Sequence, residues 1–169
     1  MEITLDQLLA SREQRVARQQ ELLHKYPDAT LVCLTVIMPG SVKRNFFSLI
    51  TAGAAVKAIL DHYEGSIEHM SLKDEVTGYE GYLVTTLDRE QAKRIACDIE
   101  DSHPLGRLFD IDVMDEQGTP MSRSVVGHQP RRCLICNNEA RYCMRARAHT
   151  QEELQTRIKQ MVEDYVHRV

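Results

Sequence analysis

Apolar residues in the first stretch of the chain recur at helical intervals but sparsely. Leu5, Leu8, Leu9, Val16, Leu22 and Leu23 stand among Gln, Arg and Glu, and Thr4 with Gln7 forms a capping-box pattern. The spacing predicts a helix from Thr4 to about Tyr26, stopped by Pro27 and lying on the surface. Leu31 to Ile37 is an apolar, β-branched run ending at Met38-Pro39-Gly40, which predicts a strand and a turn. From Val42 to Tyr63 the period returns to three and four, through Phe46, Phe47, Leu49, Ile50, Ala54, Ile59 and Leu60, and Gly65 closes that helix. Ile67 to Leu72 and Gly81 to Leu87 read as two strands of a hairpin. Asp88 with Gln91 then caps a helix whose stripe is Ala92, Ile95, Ala96 and Ile99.

His103-Pro104 ends that helix, Leu108 to Met114 is a strand, Glu116-Gln117-Gly118 a turn, and Met121 to Val126 a candidate partner strand. Gly127 to Ala148 is irregular and rich in arginine. Thr150 with Glu153 opens a last helix with the stripe Leu154, Ile158, Met161, Val162 and Tyr165. The central order of strand, helix, strand, strand, helix, strand predicts an α+β fold with a mainly antiparallel sheet. It is the order of a ferredoxin-like split βαβ arrangement, here with flanking N- and C-terminal helices. With 169 residues, 43% of them hydrophobic, one core is expected rather than two. The expected parts are an N-terminal helix over 1–27, an α+β core over 31–126, an Arg/Cys-rich segment over 127–149 and a C-terminal helix over 150–169.

Charge and cysteines narrow the function. A net charge of −4 argues against a general nucleic-acid coat, which needs a basic domain. The longest apolar run, Leu31 to Met38, is far short of the roughly 20 residues that cross a bilayer. The N-terminus also has no basic region followed by an apolar one, so no membrane partner and a cytoplasmic location are expected. Five cysteines, an odd number, do not make a disulfide framework and leave thiols or a metal site.

Two constellations carry candidate chemistry. Asp110 and Asp112 stand two apart in a strand-like run, so both carboxylates leave one face while Ile111 and Val113 enter the core on the other. Two adjacent carboxylates suit Mg²⁺ or Mn²⁺ bridging to a substrate phosphate, although an isolated Asp-x-Asp more often faces water. His103, Gly106 and Arg107 come just before: a glycine permits close backbone approach, and a guanidinium grips phosphate bidentately. Six arginines, no lysine and one acidic residue between Arg123 and Arg147 fit a polyphosphate, with Arg131 and Arg132 the leading candidates.

Cys133, Cys136, Cys143 and His149 have knuckle-like spacing, which leaves structural Zn²⁺ and buried or redox-sensitive thiols as alternatives. Cys33 and Cys97, on an apolar strand and helix face, read as core. No Walker-type glycine loop and no Gly-x-Ser-x-Gly elbow are present.

The run Ser102-His103-Pro104-Leu105-Gly106-Arg107-Leu108-Phe109-Asp110-Ile111-Asp112-Val113, followed by Pro130-Arg131-Arg132-Cys133-Leu134-Ile135-Cys136, Cys143 and His149, resembles the apo-citrate lyase phosphoribosyl-dephospho-CoA transferase family. Ser11 to Gln19 resembles that family's N-terminal helix, so the likeness spans nearly the whole chain. The resemblance implies transfer of the phosphoribosyl-dephospho-CoA group from 2'-(5''-triphosphoribosyl)-3'-dephospho-CoA to a serine of the citrate lyase acyl carrier (gamma) subunit, with release of pyrophosphate.

On that reading Asp110 and Asp112 hold Mg²⁺, Arg107, Arg131 and Arg132 hold phosphates, Glu80 is the nominee for a third metal ligand, and His103 is a candidate base. Gly106 lies four residues before Asp110, closer than the glycine pair of polymerase-β-type nucleotidyltransferases. The competing class is a zinc-stabilised module binding RNA or protein, which would not depend on Asp110 or Asp112.

Overall fold

The computed structural model of the chain describes residues 1–168. Five α-helices and four strands alternate as α1 (Leu5–Lys25), β1 (Thr30–Val36), α2 (Phe46–His62), β2 (Ile67–Glu75), β3 (Gly78–Thr85), α3 (Arg89–Ser102), β4 (Phe109–Val113), α4 (Ala140–Ala146) and α5 (Gln151–Arg168). Short 3₁₀ turns occupy Gly106–Leu108 and Arg123–Val126. The capping boxes expected at Thr4, Asp88 and Thr150 all form: each side-chain oxygen accepts from the backbone N–H three residues on, and the Gln or Glu there accepts in return.

The sheet order is β2-β3-β1-β4, with every neighbouring pair antiparallel. β3 therefore separates β1 from β2, and β1 separates β3 from β4, as the split βαβ expectation requires. β2 and β3 form the predicted hairpin around Val76-Thr77. Because facing residues of an antiparallel pair share a side, the register sorts the sheet into two faces. Val32, Leu34, Leu83, Phe109, Ile111 and Val113 meet Ala55, Ile59, Ala96 and Ile99 of α2 and α3, with Ile158 and Val162 of α5, in the main core. Leu31, Cys33, Tyr82, Val84 and Met114 form a smaller cluster on the opposite face, beneath Leu22 of α1.

That second face changes the picture of α1. The helix does lie on the surface, but Leu22, Gln19 and Ser11 are buried, and its polar side grips the sheet: Arg15 Nε donates to Glu80 Oε1 at 3.0 Å and Gln19 Nε2 reaches Cys33 Sγ at 3.6 Å. A sheet with helices on one face alone would leave the Leu31, Tyr82 and Val84 row in water.

Three expectations are corrected. Met121 to Val126 is no strand. Pro120, which lacks an N–H, makes a single bridge to Met114, and the Ser122 hydroxyl then caps a 3₁₀ turn ended by Gly127 at φ 78°. Val42 to Asn45 stays outside α2 because Asn45 is its N-cap, accepting from Ser48 N–H at 2.9 Å. Within the segment read as irregular, Ala140–Ala146 is helical. No helix among the described residues is long and apolar enough to cross a membrane.

The step from α3 into β4 turns on one glycine. A β-carbon on Gly106 would lie 2.7 Å from the Glu100 carbonyl carbon and 2.8 Å from Ile99 O, both backbone atoms of a packed helix that cannot swing aside. Gly106→Ala should destabilise the protein by about 2–3 kcal/mol, the usual scale of overpacking. A denaturant midpoint equal to that of the parent would show that the approach is not as tight as described.

Candidate active site

β4 is an edge strand, and its alternation does what the sequence predicts: Phe109, Ile111 and Val113 are buried in the main core, while Asp110 and Asp112 share the opposite face. The register sets Asp110 opposite Thr35 and Asp112 opposite Cys33. Thr35 Oγ1 donates to Asp110 Oδ2 at 3.3 Å. Burial, then the neighbouring Asp110 charge, pushes the Asp112 carboxyl up to about 6. Two carboxylates so placed are short of positive charge.

The outer edge of β4 is closed by Glu100 of α3. Its carboxylate is 6% exposed, and Oε1 accepts the Ile111 N–H at 2.8 Å. Oε2 accepts from Arg123 Nη1 at 2.6 Å, and Arg123 also grips Asp101. Burial pushes the Glu100 pKa up, and Arg131, the Ile111 N–H and Arg123 pull it back. Sequence reading missed Glu100 and the buried Lys93, and grouped Arg123 with the arginines for polyphosphate whereas it pairs with Glu100. A trace existed: Lys93, Cys97 and Glu100 recur at four and three on α3, beside its apolar stripe.

Arg131 ties the Arg/Cys-rich segment to this edge. Its Nη2 donates to Gly106 O at 3.0 Å and Arg107 O at 3.3 Å, while Nη1 lies 3.6 Å from Asp110 Oδ1 and 3.7 Å from Glu100 Oε1. Arg107 is the opposite case. Its Nε and Nη1 are buried with no hydrogen-bond partner, and burial, followed by the Arg131 charge, lowers its pKa to about 10. A buried donor left unpaired costs about 1–3 kcal/mol, so a guanidinium with two of them is poised for an anion.

Not every sequence candidate joins the group. Gly106 spends its close approach on the C-terminal end of α3. Arg132 Nη1 donates to Asn137 O at 2.7 Å, inside its own loop. His103 packs 4.8 Å from the Phe109 ring and 5.5 Å from Tyr165, on the core side of β4 and away from the aspartates. Its Nδ1 accepts the Leu105 N–H at 3.0 Å, so the basic nitrogen of the neutral ring is already occupied.

Glu80 does share the face of Asp110, in register with Thr35 on the other side of that residue. Two strand spacings, about 10 Å, separate them. The Glu80 carboxylate is taken by Arg15 at 3.0 Å, Ser11 at 3.4 Å and Tyr82 at 2.6 Å.

Cys133, Cys136, Cys143 and His149 converge. One ligand atom of each lies within 4.8 Å of the others, and this is the one such cluster of three or more among the described residues. The Ile135 N–H donates to Cys133 Sγ at 3.4 Å, and Cys136 Sγ lies 3.4 Å from Cys143 Sγ. Arg147, at φ 48°, turns the chain back after α4 so that Ala148 N–H reaches Cys143 O at 3.0 Å and His149 closes the group.

His149 Nε2 is buried without a partner. The Asn138 N–H and His149 draw the Cys136 thiol down to about 6, and Cys136 pushes His149 up. Three sulfurs and one imidazole within tetrahedral reach fit Zn²⁺ in donor type and spacing. Cys33, by contrast, is held by burial at about 12 and is inert.

The model of the family described as apo-citrate lyase phosphoribosyl-dephospho-CoA transferase matches residues 3–165. The chain belongs to that family. It is 35% identical over 167 residues to "Probable apo-citrate lyase phosphoribosyl-dephospho-CoA transferase" of Streptococcus pyogenes serotype M18 (strain MGAS8232), covering 96% of this chain and 87% of the relative. It is 37% identical over 169 residues to the protein of the same name from Vibrio cholerae serotype O1 (strain M66-2), covering 98% and 94%. This member of the transferase family is thus an enzyme that transfers a prosthetic group, and the expected resemblance holds along nearly its whole length.

The raised Asp112 pKa has a definite sign. The folded state holds the extra proton between the ordinary carboxylate value of about 4 and about 6, so stability falls as pH rises through that window and the charged form is a cost at neutral pH. In the metal-free transferase, Asp112→Asn should raise stability at pH 7 by about 1–2 kcal/mol, a full two-unit shift discounted for partial exposure. It should also flatten the decline between pH 4 and 6. Thermal unfolding across pH checks this, and an unchanged profile would refute it.

Proposed function

We propose that the β4 edge is where a triphosphate donor, 2'-(5''-triphosphoribosyl)-3'-dephospho-CoA, gives up its phosphoribosyl-dephospho-CoA group to a serine of the citrate lyase acyl carrier (gamma) subunit. The observation that carries this reading is the buried guanidinium of Arg107, with two donors unpartnered, next to Arg131, which itself lies 3.6 Å from Asp110 of the paired aspartates. An arginine with unpartnered buried donors, a second guanidinium at its side and two carboxylates on one strand face make a place for phosphate together with a divalent cation.

In this reaction the serine Oγ bonds to the α-phosphorus, the bond from that phosphorus to the bridging oxygen breaks, and pyrophosphate leaves with the electron pair. The serine proton passes to solvent. Arg107 holds phosphate oxygens, Arg131 keeps its hold on the Gly106 and Arg107 carbonyls and lends charge to the same anion, and Asp110 and Asp112 would hold Mg²⁺ or Mn²⁺. When bound, that ion supplies charge stabilisation for the phosphorus centre and the departing pyrophosphate, which makes the reaction nucleotidyltransferase-like. Exposed Tyr142 and Met144 beside Arg141, Arg145 and Arg147 offer an amphipathic basic surface to an acidic carrier.

The test is incubation of apo carrier subunit, triphosphate donor and Mg²⁺ with the enzyme, followed by the mass of the carrier. A gain equal to the transferred group is expected. Asp110→Asn and Asp112→Asn should each lower the rate at least about a thousandfold, and Arg107→Ala about a hundredfold, the scale of losing one transition-state charge contact. No gain with the parent enzyme sinks the function, and full activity of both Asn variants sinks the metal assignment.

The second metal in this reading is structural. We infer that Cys133, Cys136, Cys143 and His149 hold Zn²⁺, with their thiols kept reduced in a cytoplasmic setting. Elemental analysis of protein purified without added metal should give about one zinc per chain. A ratio near zero would remove the assignment.

A further inference from the structure

The cysteine cluster and the β4 edge are joined by very little chain. Arg131 precedes Cys133 by two residues, and both sit at the base of one small hairpin: Ala140 N–H donates to Arg131 O at 2.8 Å, Cys133 N–H to Asn138 O at 2.7 Å, and Arg132 bridges to Glu139. The hairpin leads into α4, which carries Cys143, and the turn at Arg147 brings in His149. The backbone that presents the Arg131 guanidinium to Gly106 O, Arg107 O and Asp110 is thus the backbone that carries the ligands.

This segment has almost no core to hold it. Leu134 reaches the main core and Cys143 is buried, but Ile135, Tyr142 and Met144 are exposed, and α4 is 7 residues long. A helix of that length is unstable alone, and an excursion this small orders itself only with a staple. The convergent ligand set is the staple available, since metal binding to such a set supplies ordering free energy directly.

We propose that the metal held by Cys133, Cys136, Cys143 and His149 is the positioning element of the phosphate site: it fixes the hairpin that sets Arg131 against Gly106, Arg107 and Asp110. This rests on the zinc and phosphate readings above and adds a coupling between them. Removing the metal leaves the sheet and the α2, α3 and α5 core folded, because that core draws nothing from the segment except Leu134. What is lost is the anion grip.

The experiment uses the full chain, zinc-loaded and zinc-stripped, with inorganic pyrophosphate as the calorimetric probe and far-ultraviolet circular dichroism as the check on the core. Stripping should weaken pyrophosphate binding at least about tenfold, the scale of losing one charge-assisted pair, and restoring zinc should recover it. Arg131→Ala should cause a similar loss, and the two losses combined should fall well short of additive. His149→Cys, which keeps a donor, should retain zinc and affinity, whereas His149→Ala should lose both. In the transfer assay, His149→Ala should raise the donor KM more than it lowers kcat.

Equal pyrophosphate affinity with and without zinc, or additive losses with Arg131→Ala, would overturn the coupling while leaving the phosphate reading in place. Loaded protein that binds no pyrophosphate would overturn the phosphate reading and the coupling with it. Failure to take up zinc would overturn the zinc assignment and the coupling with it, while leaving the phosphate reading in place.

Discussion

A single buried carboxylate organises the part of this molecule where chemistry is proposed. Glu100 leaves α3 into a site nearly closed to water and accepts from Ile111 N–H, Arg123 and, at longer range, Arg131. An isolated charge there would be costly. With three partners it becomes a junction between a helix, an edge strand, the 3₁₀ turn at Arg123–Val126 and the arginine-rich segment. An edge strand would otherwise expose unpaired N–H groups, and capping Ile111 from the side keeps β4 in register with β1. That register in turn fixes the face on which Asp110 and Asp112 stand.

The two sides of β4 then take different work. On the core side Phe109, Ile111 and Val113 are packed under α2, α3 and α5, so the strand is held rigidly. On the other side polar groups accumulate: Asp110 with Thr35, Asp112 against Cys33, and Glu80 bound by α1 through Arg15 and Ser11. α1 is therefore more than an appendage. It covers the small apolar patch of Leu31, Tyr82 and Val84 and neutralises a buried glutamate in the same stroke, leaving the aspartates of that face to Arg131, which lies 3.6 Å from Asp110.

Charge is distributed by local pairing rather than by the net balance of −4. Of the arginines clustered late in the chain, Arg123 and Arg131 are drawn to Glu100 and the carbonyls at the start of β4, and Arg132 is spent inside the knuckle hairpin. Arg145 and Arg147 stay at the surface. Arg107 alone among the residues flanking β4 keeps buried donors without a partner. A run of like charges in the sequence thus divides into paired and exposed members, and only their carboxylate and carbonyl neighbours decide which is which.

The sequence by itself determined the features that depend on near neighbours. Helix boundaries followed from the boxes at Thr4, Asp88 and Thr150. The common face of Asp110 and Asp112 followed from strand alternation, and the spacing of the cysteines and His149 nominated the group that the fold brings together. Order of elements suggested the split βαβ arrangement, but only the folded sheet gave its strand order, whereas motif likeness sufficed for the family. Tertiary structure decided whatever depends on partners distant in the chain. It gave Glu80 to Arg15 across 65 positions, turned His103 toward Phe109, and spent Gly106 on the end of α3. It also brought Glu100 to Ile111 and Arg131. The physical reason is that a polar side chain's role is set by what neutralises or desolvates it, and those groups are assembled only when the chain has folded.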